Sequence, residues 1–83
     1  MTRDEIAEIN PDALFCDGFD DAILGIAERP NLGPVVAYSI ETMLQIMVER
    51  DGMTHEEAYE YIDFNIRCAW VGDNTPIYIT TVL

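Results

Sequence analysis

The stretch Arg50-Asp51-Gly52-Met53-Thr54 holds the end of one helix and the start of another, and no other feature restricts the fold as strongly. Arg50 places a cation where a helix C-terminus favours one, and Gly52 suits the left-handed residue that closes a helix. Thr54 with Glu57 forms the T-x-x-E capping box, and Met53 is available as its hydrophobic staple. Upstream, Ser39 is a good N-cap, and Ile40, Met43, Leu44 and Met47 recur at the spacing of one helical face. Downstream, Ala58, Tyr61, Ile62, Asn65 and Ala69 predict an inner face, which Phe64, Ile66 and Cys68 widen, with Gly72 as the stop. Two helices joined this tightly predict an antiparallel helical hairpin over 39–71.

Strand-like segments flank the hairpin. Ala22–Ala27 and Pro34–Tyr38 are apolar and partly β-branched, and the turn-rich run from Arg29 to Pro34 between them predicts a β-hairpin with a loop of several residues. Asp73-Asn74-Thr75-Pro76 is a second turn, and Ile77–Leu83, rich in Ile, Thr, Tyr and Val, predicts a third strand. The fold class expected is therefore α+β: a three-stranded sheet with a helical hairpin on one face, in the order ββααβ. Residues 1–12 read either as an acidic arm or as a short helix capped by Thr2 and stopped by Pro11. Residues 13–83 form one α+β domain, in which 13–16 add a short strand or pack as a lid. Leu24, Ile26, Val36, Tyr38, Tyr78 and Val82 must divide between two sheet faces. With helices on only one of them, the other is expected to be bare and to make a homodimer interface.

Charge narrows the function. The chain carries 16 acidic residues against four arginines and no lysine, a formal net charge of -12 in 83 residues. Such a surface repels nucleic acid and anionic membranes and attracts basic protein surfaces. At 49% hydrophobic the chain still has the material for a core. The first residues are polar and acidic, unlike a signal peptide, and no apolar run spans a bilayer. Cys16 and Cys68 make neither a disulfide framework nor zinc spacing. A reduced, cytoplasmic setting is expected, with no membrane and no direct nucleic-acid binding.

Catalytic patterns are weak. Asp17-Gly18-Phe19-Asp20-Asp21 is the densest carboxylate cluster, and an oxygen-rich loop can hold Ca²⁺ or Mg²⁺. It lacks EF-hand spacing, however, and a solvated loop is the plainer reading. His55 begins a zincin-like Thr54-His55-Glu56-Glu57, but position 59 is Tyr where a second ligand is needed. Neither cysteine has the flanking base that a nucleophile needs. No catalytic residue, metal or cofactor is assigned.

A surface is the better candidate. Glu56, Glu60 and Asp63 recur at i, i+4, i+7 along one helical stripe, and Arg67 is placed to pair with Asp63. Together with Asp17, Asp20 and Asp21 they are the expected contacts for a basic partner. Tyr59, on the helix flank, and Trp70, at the helix end, are candidate aromatic anchors, and Trp70 is expected to serve the core first.

Several segments carry a resemblance: Phe19-Asp20-Asp21-Ala22 with Gly25, Glu28 and Pro34; Arg50 to Thr54 with Glu56-Glu57-Ala58 and Glu60-Tyr61; and Phe64-Asn65 with Ala69-Trp70-Val71-Gly72 and Thr75-Pro76. Over roughly 17–79, the chain resembles a family of short uncharacterised acidic proteins of tailed phages and prophages. That resemblance implies a phage protein in the host cytoplasm and no established activity. By analogy of size, charge and setting it implies an inhibitor of host machinery, such as an anti-CRISPR or DNA-mimic anti-defence protein. The expected function is non-enzymatic binding of a host or phage protein. The alternatives are a homodimeric assembly module and a small metal-binding domain at Asp17, Asp20 and Asp21.

Overall fold

The computed structural model describes residues 1–67 and 69–80, with Arg67 through its backbone alone. In chain order they form α1 (Arg3–Ile9), a 3₁₀ turn (Asp20–Ala22), β1 (Ile23–Arg29), β2 (Leu32–Ser39), α2 (Ile40–Asp51), α3 (His55–Ile62), a π-helical turn (Asp63–Arg67) and β3 (Ile77–Ile79). The class is α+β, as expected from the sequence.

The N-terminal segment is the short helix and not a loose arm. Thr2 accepts a hydrogen bond from the Glu5 amide while the Glu5 side chain accepts one from the Thr2 amide, a reciprocal capping box. Ile6 is completely buried in the same core as the helical pair, so α1 belongs to the single domain. Asn10 closes α1, and its Nδ2 donates to the Pro34 carbonyl (2.7 Å) and to Asn74 Oδ1 (3.1 Å), tying helix, hairpin and late loop together.

β1 and β2 pair antiparallel. Arg29 sits opposite Leu32, so the connection is only Pro30-Asn31, tighter than the loop of several residues expected. Asn31 adopts φ 62°, a left-handed turn position that asparagine tolerates. Pro34, which has no N–H to donate, falls at the irregularity between the Ala27 and Arg29 pairings and costs the ladder nothing. A second bulge lies between Ile23 and Gly25.

β3 pairs parallel with β2, with Tyr38 beside Tyr78, giving a mixed sheet in the order β1-β2-β3. The helical pair lies in the crossover that parallel pairing requires. Val35 to Ser39 are buried one after another, so both faces of the central strand are covered. The bare apolar face expected on the sheet is therefore absent from the Val35–Ser39 part of β2; among the described strand residues, the exposed large apolar side chains are Leu32 at the start of β2, Leu24 on β1 and Ile79 on β3. The expected third strand extends to Ile79, and its remainder at 81–83, with Val82, lies outside the described residues.

Residues 13–16 pack as a lid. The Cys16 amide donates to Tyr38 Oη at 2.8 Å, and Cys16 Sγ lies 3.3 Å from Tyr78 Oη. The two tyrosine rings stack with centroids 6.0 Å apart. Burial holds the Tyr38 phenol neutral, pushing its pKa up to about 12, and shifts that of Tyr78 upward as well. Burial also pushes the Cys16 thiol up, which makes it a poor nucleophile.

The helical junction follows its local signals. Ser39 caps α2 by accepting from the Thr42 amide, and Ile40, Met43, Leu44 and Met47 are the buried face. Gly52 closes α2 at φ 69°, where a side chain would be strained. Thr54 and Glu57 form the capping box of α3. The second helix is shorter than expected. Its α-helical part ends at Ile62, and the π-helical turn widens the spiral by bonding one residue further along. That wider turn carries the inner face from Ala58 and Ile62 to Ile66. Tyr61, Phe64 and Asn65, expected inside, are exposed, and so is Ala69.

Candidate interaction surface

Two arginines organise the Asp17–Asp21 loop. Arg3 on α1 reaches Asp17 (3.1 Å) and Asp20 (2.7 Å), and its guanidinium lies over the Phe15 ring at 4.7 Å. Arg50, in the last turn of α2, grips Asp51 with both arms of its fork (2.9 and 3.0 Å) and donates to the Gly18 carbonyl at 2.6 Å. It also stacks over Phe19. Gly18 has φ 86°, a backbone conformation that favours glycine, and a Cβ there would sit 3.0 Å from Arg50 Nη1, so the guanidinium would have to give way slightly. The Asp20 hydrogen bond raises the Arg3 pKa, and the Arg50 fork lowers that of Asp51.

The acidic loop is therefore not a uniform anionic patch. Asp17 and Asp20 are exposed but share a cation, whereas Asp21 has no cationic partner among the described residues. Nor do the described residues bring three or more His, Cys, Asp or Glu side chains together in a group able to hold a metal ion.

The helical stripe is better formed. Glu56 and Glu60 are exposed on α3, and Asp63 is half-buried at the start of the π-helical turn. The expected Arg67 partner of Asp63 lies outside the described side chains. Glu57 points back to the Thr54 amide, which holds its carboxyl below the usual glutamate range. His55 is exposed, consistent with its place in the first turn.

Of the two aromatic anchors, Tyr59 is exposed on the flank as expected. Trp70, expected in the core, is 68% exposed. The cause is again the end of the second helix: the chain leaves the helical path before Trp70 and turns through Gly72 to Thr75, where the Thr75 hydroxyl donates to the Gly72 carbonyl and accepts from the Val71 amide. A shallow groove that no sequence motif marks is lined by Met53, Glu57, Glu60, Tyr61, Phe64 and Asn65. Its cause, the π-helical turn, has no sequence signal. The Arg3 and Arg50 clamps have none either, because each spans a long chain separation.

Arg29 is likewise held by its own chain. Its Nη2 donates to the Gly33 and Asp73 carbonyls, joining the β-hairpin to the loop before β3. Every described arginine side chain is thus engaged by its own chain. Asp4, Glu8, Asp21, Glu28, Glu56 and Glu60 are exposed with no cationic partner among the described residues. Among those residues no helix is long and apolar enough to cross a membrane. No protein-family model matches the chain, and no curated protein or solved structure matches it.

Proposed function

We propose that this protein acts by binding, engaging a protein partner with a basic surface through its acidic exterior. The observation that carries this reading is the disposition of charge: the described arginines serve internal bonds, and the carboxylates they leave unmatched face solvent. A basic cleft built for nucleic acid meets a comparable array of anions on this surface. In the phage setting that the sequence resemblance implies, the role is inhibition of a host nucleic-acid-binding defence protein.

The test is capture from host lysate at low and high salt, paired with a Glu56→Lys/Glu60→Lys variant. A basic partner held at low salt, released at high salt and weakened about tenfold or more by the double reversal supports the reading. A partner held equally at both salt concentrations and by both proteins overturns it. If the chain captures nothing and sediments as a dimer, self-association becomes its role.

A further inference from the structure

The groove beside α3 joins two surface chemistries. Phe64 is 78% exposed and Tyr61 44% exposed, while the carboxylates of Glu57 and Glu60 stand on the same lining. Met53 and Asn65 complete it, so among the described residues its lining contains no cation. An aromatic face attracts a cation through its quadrupole, and a guanidinium is the cation that stacks flat on a ring while forking to a carboxylate.

We propose that this groove is the docking centre for the partner, and that it takes an arginine-bearing, otherwise apolar peptide segment. The proposal rests on the acidic-surface reading above and makes it specific: one arginine stacks against Phe64 or Tyr61 within reach of Glu60, and its apolar neighbours cover the remaining ring surface. Arginine is favoured over lysine because it is planar and weakly hydrated.

A second copy of the chain is the poorer occupant. A two-fold interface centred here sets the Glu57 and Glu60 rims of the two copies against each other. The described arginines that could relieve that repulsion, Arg3, Arg29 and Arg50, are already bonded within their own chain. A net charge of -12 on each copy opposes the approach further.

The experiment titrates the isotopically labelled full chain with three short synthetic peptides, alternating arginine with leucine, arginine with serine, and glutamate with leucine. Amide shifts are read by NMR and affinities by fluorescence anisotropy. The arginine–leucine peptide is expected to bind tightest, with shifts centred on Tyr61–Asn65. Phe64→Ser is expected to weaken it by about fivefold or more, and Glu60→Gln to weaken it and flatten its salt dependence. Both positions are exposed, and a thermal melt checks that both variants fold.

Equal binding of the two arginine peptides, unaffected by Phe64→Ser, overturns the groove and leaves the acidic-surface reading standing. Shifts centred on Asp17–Asp21 do the same. Binding of the glutamate–leucine peptide as tight as the arginine–leucine peptide overturns the cationic specificity. A concentration-dependent dimer abolished by Phe64→Ser overturns the choice of occupant, and no binding by either cationic peptide overturns both readings.

Discussion

The two capped helices α1 and α3 begin with the same chemistry and end in opposite surroundings. Each opens on a threonine and closes the box with a glutamate three residues on. From α1, Ile6 enters the core, Arg3 reaches across to the Asp17–Asp21 loop, and Asn10 ties to Pro34 and Asn74. From α3, Ala58 and Ile62 are buried, but Tyr61 and Phe64 stand in solvent. A cap determines where a helix starts; what covers its sides is settled by partners distant in the chain. The first region is fastened by long-range bonds, and the second carries exposed apolar area suited to an external contact.

The largest test of this contrast sets Met43 against Phe64. Met43→Ala empties a fully buried site and is expected to cost about 2–5 kcal/mol. Phe64→Ala is expected to stay within about 0.5 kcal/mol, because the ring is exposed. Urea denaturation measures both; a comparable loss at Phe64 would place that ring inside the fold and end the contrast.

Next comes the lid. Tyr38→Phe leaves the Cys16 amide without its acceptor and is expected to cost about 1–3 kcal/mol in the same assay. The Tyr38 phenol ionises near its ordinary value of 10.0 when unfolded and at about 12 when folded. The stability it contributes is present below 10 and is lost as pH rises toward 12. Alkaline unfolding followed by circular dichroism should therefore be less steep in the Phe variant.

The smallest effects lie at the caps, where the two regions should agree. Thr2→Ala and Thr54→Ala are each expected to cost about 1 kcal/mol. Hydrogen bonds from the Thr2 and Thr54 backbone amides, then from their hydroxyls, hold the carboxyls of Glu5 and Glu57 below the ordinary value of 4.5. Their contribution is present above 4.5 and fades as pH falls through the lowered values. Acid titrations of Glu5→Gln and Glu57→Gln should lose that part of the pH dependence. Unequal responses would show that one box is coupled to tertiary packing.

The local signals were legible in sequence because their causes are local. Ser39, Gly52 and the Thr54–Glu57 box mark helix ends by bonds within a single turn, and the Ile40–Met47 face follows from spacing alone. The α+β class followed from the order of those elements. The site was less legible. Asp17 and Asp20 read as free anions because Arg3 lies far back in the chain. Trp70 and Phe64 read as core because their spacing continues a helix that the protein widens at Asp63 and then leaves. Parallel pairing of Tyr38 with Tyr78 depends on a crossover that no short window contains.

The irregular ladder of β1 bears on how the chain behaves in a crowded, incompletely folded state. β1 is an outer strand of the sheet, and an outer strand with a straight row of free amides recruits other chains. Here the row is broken at Ile23/Gly25 and again at Ala27/Arg29, and the residue within the second break is the exposed Glu28. A neighbouring strand finds only a short run in register before it meets a kink and a negative charge. This outer strand thus discourages runaway polymerisation in a molecule that also exposes aromatic rings at Tyr61 and Phe64.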